Sequence, residues 1–238
     1  MPETGKGRFL SMFRERKPVM AMLHLKGTSP DDVQERMKRE LDIYVSEGVD
    51  AVIVEDYFGT YGDMRRALAY IEQTKPDIVY GVNCLNVDAM GFELAGEFGA
   101  AFVQLDSVVG HVKPRDEEAL AAFLELFRSR YAGCVLGGVR FKYQPVLSDR
   151  SLEEDLEIAK GRCDAVAVTQ DATGQETSLD KIRSFRAGLG DFPLIVAAGV
   201  TPREPQGELP HRRWRCGGQL FSKTAIAMMA SFRQSTCG

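Results

Sequence analysis

No Cys-x-x-Cys pair, no Gly-x-Gly-x-x-Gly turn and no apolar run long enough to cross a bilayer occur in the 238 residues. The first absence makes metal binding through Cys84, Cys134 and Cys163 a poor reading, and we expect neither a metal nor another cofactor. The five cysteines are irregularly spaced and read as reduced thiols, not as a disulfide framework. The second absence counts against a dinucleotide-binding sheet. The third, with a polar and charged stretch over residues 1–17, leads us to expect a cytoplasmic protein with no transmembrane segment. A basic surplus is also missing. The formal net charge is −4, which leaves no electrostatic footprint for nucleic acid.

What is present suits one α/β barrel. The length fits a single barrel, and a hydrophobic fraction of 44% is enough for a sizeable core. The most informative stretch runs Leu194-Ile195-Val196-Ala197-Ala198-Gly199-Val200-Thr201-Pro202. It is an apolar run that ends in glycine, as a buried parallel strand ends in a ligand loop. The same phrase recurs before it. Apolar runs are read at 19–25, 51–54, 78–82, 102–105, 135–141, 165–168 and 194–197. Helices are read at about 30–47, 64–73, 88–98, 117–131, 152–160 and 178–189, after a short amphipathic turn at 9–16. Ser29 and Pro30 open the first of these helices, and Val33, Met37, Leu41 and Val45 give it an apolar stripe. Asp88 is read as the cap of the third.

Strands alternating with helices of this length argue for parallel pairing. Polar residues stand at the end of nearly every apolar run. A closed barrel gathers such ends into one mouth, whereas an open sheet uses only those near its switch point. The expectation is therefore a (β/α)8 TIM barrel over residues 1–202, with seven clear strands and the eighth strand and helix doubtful or lost.

Residues 203–238 differ in character. They hold the single tryptophan, a basic cluster His211-Arg212-Arg213-Trp214-Arg215, and two of the five cysteines. Three readings stand: a basic arm, a solvated tail, or a poorly packed segment frameshifted by one base inserted near the Pro202 codon and another near Phe221. The third is preferred, because a restored frame can encode a short strand with a glycine-serine end.

The phrases MLHLKGTSP, GVDAVIVEDYFG, GVNCLNVDA, FGAAFVQLD, DAVAVTQDATG and VAAGVTP fall in order from Val19 to Pro202. In this ordered set the chain resembles the BtpA/SgcQ family of barrel proteins, one member of which is linked to photosystem I biogenesis. Two departures stand out. Lys26-Gly27-Thr28 replaces the family's Pro- and Leu-rich loop, and Asp106 stands where an Asn is expected. The resemblance implies a barrel and leaves the reaction open.

Seven strand ends supply the candidate site: His24, Glu55, Asn83, Asp106, Lys142, Thr169 and Gly199. Glu55 or Asp106 suits a general base, and His24 an acid or polariser. Lys142 suits an anionic group or an imine with a carbonyl substrate. Each has a plainer alternative. His24 equally suits a structural role, and Lys142 a structural ion pair with Glu55 or Asp106. Only one of Glu55 and Asp56 can point inward, and Glu55 is favoured. Thr173, Gly174 and Gly199 suit backbone N–H contacts to a phosphate. The expected substrate is a small phosphorylated sugar or nucleoside-like metabolite, acted on by an isomerase, lyase or glycosyl-bond-cleaving enzyme. A non-catalytic assembly or biogenesis factor is the alternative. No nucleic-acid partner is expected, and a homo-oligomer is left open.

Overall fold

A computed structural model describes residues 7–15, 17–85, 87–110, 116–172 and 175–197, together with the backbone of 201–202, 214–215 and 225–228. The strands of the ring are β1 Val19–Leu23, β2 Ala51–Glu55, β3 Val79–Asn83, β4 Phe102–Leu105, β5 Cys134–Gly138, β6 Ala165–Val168 and β7 Leu194–Val196. Two short segments, β8 Thr201–Pro202 and β9 Trp214–Arg215, pair antiparallel outside it. The last strand, β10 Ala225–Met228, lies between β7 and β1 and is parallel to both. The ring closes in the order β1-β10-β7-β6-β5-β4-β3-β2. Sequence alone leaves the eighth position in doubt. Ala225–Met228 occupies it, and the backbone edges of β7 and β1 find partners there.

The helices are α1 Arg8–Ser11, α2 Pro30–Ser46, α3 Tyr61–Thr74, α4 Asp88–Glu97, α5 Glu117–Arg130, α6 Leu152–Lys160 and α7 Leu179–Leu189. Most begin on a side-chain cap. The hydroxyls of Ser29, Thr60, Ser151 and Ser178 accept from backbone N–H groups three residues on, as does the Asp116 carboxylate. Thr60 and Ser151 form reciprocal capping boxes with Asp63 and Glu154. Asp88 is the first helical residue of α4 and not its cap; Val87 holds that place without a side-chain bond. The buried stripe of α2 is Val33, Met37, Leu41 and Tyr44, while Val45 faces outward. A 3.6-residue repeat reaches position 44, which a strict spacing of four misses.

Strand alternation divides the core in two. Met20 and Met22, Ala51 and Ile53, Phe102, Cys134 and Leu136, Ala165 and Ala167, and Ile195 and Ala197 share the cluster inside the ring. The intervening residues, such as Ala21, Val52, Val103, Val135, Val166 and Val196, pack outward with the helices. α1 closes the floor. Phe9 is fully buried and meets Phe102 edge-on at 5.4 Å between centroids. A Cβ on Gly81 would lie 2.3 Å from the Phe102 ring, so that glycine makes the room the floor needs.

Candidate active site

The same alternation that fills the ring aims its last inward positions at one mouth. Glu55 ends β2 and Asn83 ends β3, and the two are register partners. His24, Asp106 and Thr169 each stand just beyond the ends of β1, β4 and β6. After His24 the chain turns through Leu25, whose φ of 54° is rare for a residue with a side chain. Gly59 packs against Leu25 and could not carry a Cβ there, at 2.7 Å. The N–H of Phe58 donates to the His24 carbonyl at 3.2 Å, so the loop after β2 is tied to the end of β1.

Glu55 is the centre of a chain of polar contacts. Its carboxylate is buried, with Oε2 3.2 Å from Nε2 of His24. Its other oxygen accepts from Nδ2 of Asn83 at 3.0 Å, and the same nitrogen lies 3.4 Å from Oδ1 of Asp106. Asp56 turns the other way and accepts from the Leu85 N–H at 2.8 Å, which fixes Glu55 as the inward carboxylate. Burial, then the nearby charge of Glu55, pushes the Asp106 carboxyl up to about 6, against the opposing pull of Asn83 and Lys142.

Lys142 is not at a strand end. Sequence alone extends that strand to Phe141, but β5 stops at Gly138 and the chain bends through Arg140 at φ 46° and Tyr143 at φ 61°. A Cβ on Gly138 would lie 2.3 Å from the Asp106 carbonyl, so the backbones crowd there too closely for a side chain. Phe141 turns back into the ring cluster. The Lys142 N–H donates to Oγ1 of Thr169 at 2.7 Å, and its ammonium stands 6.0 Å from the Phe141 ring centre.

Ion pairs behind the mouth set this bend. Asp155 is fully buried and accepts from Nε of Arg140 and Nε of Arg150, each at 2.9 Å. Arg150 also reaches Glu117, which pairs with Arg162. Beside the bend lies a cleft of about 490 Å3, walled in part by Arg140, Phe141, Tyr143, Asp171 and Lys181.

The structure thus brings His24, Glu55, Asn83 and Asp106 together; Thr169 stands just beyond β6, and Lys142, in the loop after β5, is near enough for its charge to act on Asp106. Thr173, Gly174 and Gly199 lie outside the described residues. Two participants escape the sequence reading. Gln104 is buried on the inward face of β4, one step below Asp106. Strand alternation from Phe102 places it there, but a glutamine in an apolar run gives little signal by itself. Arg140 depends on a bend that no local pattern announces. The buried Cys84, Cys134 and Cys163 are free thiols, and burial pushes them up to about 12, 11 and 12. Such thiols carry little thiolate and make poor nucleophiles. Among the described residues, no group of three His, Cys, Asp or Glu side chains is placed to hold a metal ion. Nor is any helix there long and apolar enough to cross a membrane.

Comparison with solved structures places the architecture. The chain superposes on N-acetylneuraminate lyase from Mycoplasma synoviae with a TM-score of 0.58 at 11% identity, covering 80% of this chain and 65% of that one. Dihydrodipicolinate synthase from Agrobacterium tumefaciens gives 0.55 at 16%, covering 79% and 64%. The fold is a TIM barrel. A mandelate racemase/muconate lactonizing family protein from Azoarcus gives 0.51 at 15%, covering 78% and 45%. The chain therefore spans less than two thirds of the length of each of these barrels, and the likeness is one of fold. No family model matches the chain. It is 28% identical over 210 residues to an uncharacterized protein of Thermococcus kodakarensis, covering 79% of this chain and 80% of that protein. An uncharacterized protein of Pyrococcus horikoshii is 27% identical over 216 residues, with coverage of 79% and 80%.

Proposed function

We propose that this TIM barrel is an acid–base enzyme acting on a small phosphorylated sugar or nucleoside-like metabolite, as an isomerase, lyase or glycosyl-bond-cleaving enzyme. The observation that carries the reading is the buried Glu55 carboxylate, in contact with His24 and hydrogen-bonded to Asn83, beside an Asp106 raised to about 6. A carboxylate 3.2 Å from Nε2 favours a proton on that nitrogen, which would leave Nδ1 as the proton acceptor of the neutral ring. A carboxyl group near 6 is present in both protonation states close to neutrality, as a general acid or base requires. His24 and Asp106 are then the proton carriers, and Glu55 orients His24. Asn83 spends its amide on the two carboxylates and holds them apart. Lys142 supplies positive charge for an anionic substrate group. The phosphate contacts proposed at Thr173, Gly174 and Gly199 belong to the same reading. So does membership of the BtpA/SgcQ family, which rests on the ordered phrases from Val19 to Pro202.

A panel of sugar phosphates and nucleoside monophosphates, scored by thermal shift and then by turnover, tests the reading. At least one member should stabilise the protein and be consumed. Asp106→Asn and Glu55→Gln should keep the stabilisation and slow turnover by about 10²-fold or more. A panel in which nothing stabilises the wild-type chain contradicts the proposal and favours an assembly factor.

A further inference from the structure

Nine polar or charged residues are buried in the described part of the molecule. Most have evident partners. Asp63 is held by Thr60 and Arg66, and Asp164 by Arg128 and the Val135 N–H. Asp155 has its two guanidiniums, and Ser107 donates to the Val109 carbonyl. Gln104 differs. It is 1% exposed, yet its Nε2 has no hydrogen-bond partner among the described residues. An amide N–H left bare in a protein interior is costly, and native structures keep few of them.

Its place in the ring says what that donor faces. Gln104 lies between Phe102 and Asp106 on the inward face of β4, and its register partners are Asn83 and Leu136. It stands below the acid–base groups, on the axis side of the sheet. The same interior cluster holds Leu136 on β5, Ala165 and Ala167 on β6, and Ile195 and Ala197 on and after β7, none of which offers an acceptor side chain. Nothing among the described residues supplies the acceptor that this amide lacks, and an oxygen of a bound substrate can.

We propose that the pocket continues below the acid–base groups and that the Gln104 Nε2–H binds the carbonyl oxygen of the substrate, which makes the substrate a ketose or aldose phosphate in its open-chain form. This rests on the acid–base reading above and narrows it to proton transfer beside a carbonyl. The Asp106 carboxylate takes the proton from the carbon next to the carbonyl. The C–H electron pair moves into the new carbon–carbon double bond, and the carbonyl π pair moves onto the oxygen. The Gln104 N–H donates to that oxygen as its negative charge grows. Asp106 returns the proton to the former carbonyl carbon, while His24 moves the proton of the adjacent hydroxyl to the former carbonyl oxygen and the C=C pair closes the new carbonyl, so an isomerisation is completed with no oxidant or reductant consumed. The donor is preorganised in a dry site, where such a bond is worth most in the transition state.

The test pairs a carbonyl ligand with its reduced counterpart. Ribulose 5-phosphate and arabinitol 5-phosphate are titrated by calorimetry against the wild type and Gln104→Met. The wild type should bind the ketose about tenfold more tightly than the alditol. Gln104→Met should lose that preference while its thermal midpoint rises by about 2–4 °C, because the bare amide is gone. Equal binding of the two sugars by the wild type overturns the proposal without relying on any variant, as does failure to bind either. A Gln104→Met chain that keeps the preference overturns it too. The parent reading fails separately. A Gln104-dependent preference with no turnover of any sugar phosphate would retain the amide site and remove the acid–base chemistry.

Discussion

The two walls of the mouth are built differently. On the β1–β4 side, His24, Glu55, Asn83 and Asp106 form one chain of polar contacts, with Gln104 beneath it. On the β5–β7 side the inward positions are Cys134, Leu136, Gly138, Ala165, Ala167, Thr169, Ile195 and Ala197, and the cationic groups come from a bent loop. One wall carries proton-transfer groups fixed by one another. The other is lined mostly by apolar side chains. The contrast teaches that the polar groups of the mouth are concentrated on one wall. The residues behind the second wall matter chiefly by holding its loop in place.

That division can be broken from either side. The largest effect is expected on turnover. Glu55→Gln keeps the shape but removes the charge that orients His24, and should slow the reaction by about 10²–10⁴-fold with little change in stability. A steady-state assay on the substrate found by the panel reads this. Next is Asp155→Ala, behind the second wall. It strips two guanidiniums of their shared buried partner and should cost about 3–5 kcal/mol in urea unfolding. The β5 loop should loosen while the β1–β4 chain keeps its bonds, which hydrogen exchange resolved by segment can distinguish.

Asp106→Asn should stabilise the fold, and only at higher pH. A carboxyl raised to about 6 in the folded protein, against an ordinary value of 3.8, binds its proton more tightly when folded. Ionising it therefore opposes folding. That cost is absent below about pH 4, grows between pH 4 and 6, and levels off above pH 6. At about 1.36 kcal/mol for each pH unit between the two values, it reaches about 3 kcal/mol. The amide variant cannot ionise, so its advantage over the wild type should follow that curve in denaturant melts from about pH 4 to 8. The smallest effect is expected at Thr169→Val. It leaves the Lys142 N–H without its acceptor and should cost about 1–2 kcal/mol.

Most of the scaffold is legible in the chain because its signals are local. Apolar runs that alternate with capped amphipathic segments mark β4, β6 and α6 at their observed limits, and the remaining ring strands from β1 to β7 within three residues at each end. Inward-facing Glu55, Asn83 and Asp106 follow from a period of two and a strand end. The fifth strand fails for the same reason that the others succeed. Val139, Arg140 and Phe141 continue an apolar pattern, but the crowding of Gly138 against the Asp106 carbonyl is a tertiary contact that no window of sequence contains. The pairing of Arg140 and Arg150 on Asp155 is likewise set by loops from different parts of the chain. Ala225–Met228 escapes notice because four residues in a basic tail carry too weak a pattern to mark a strand.

The central claim is that Glu55 and Asp106 face one another's charge in a single buried mouth. Carbon-13 NMR titration of the Asp106 carboxyl tests it directly. The account predicts a midpoint near 6 that falls in Glu55→Gln, because the neighbouring negative charge is removed, and rises in Lys142→Met. A midpoint near 3.8 that ignores Glu55→Gln would contradict it.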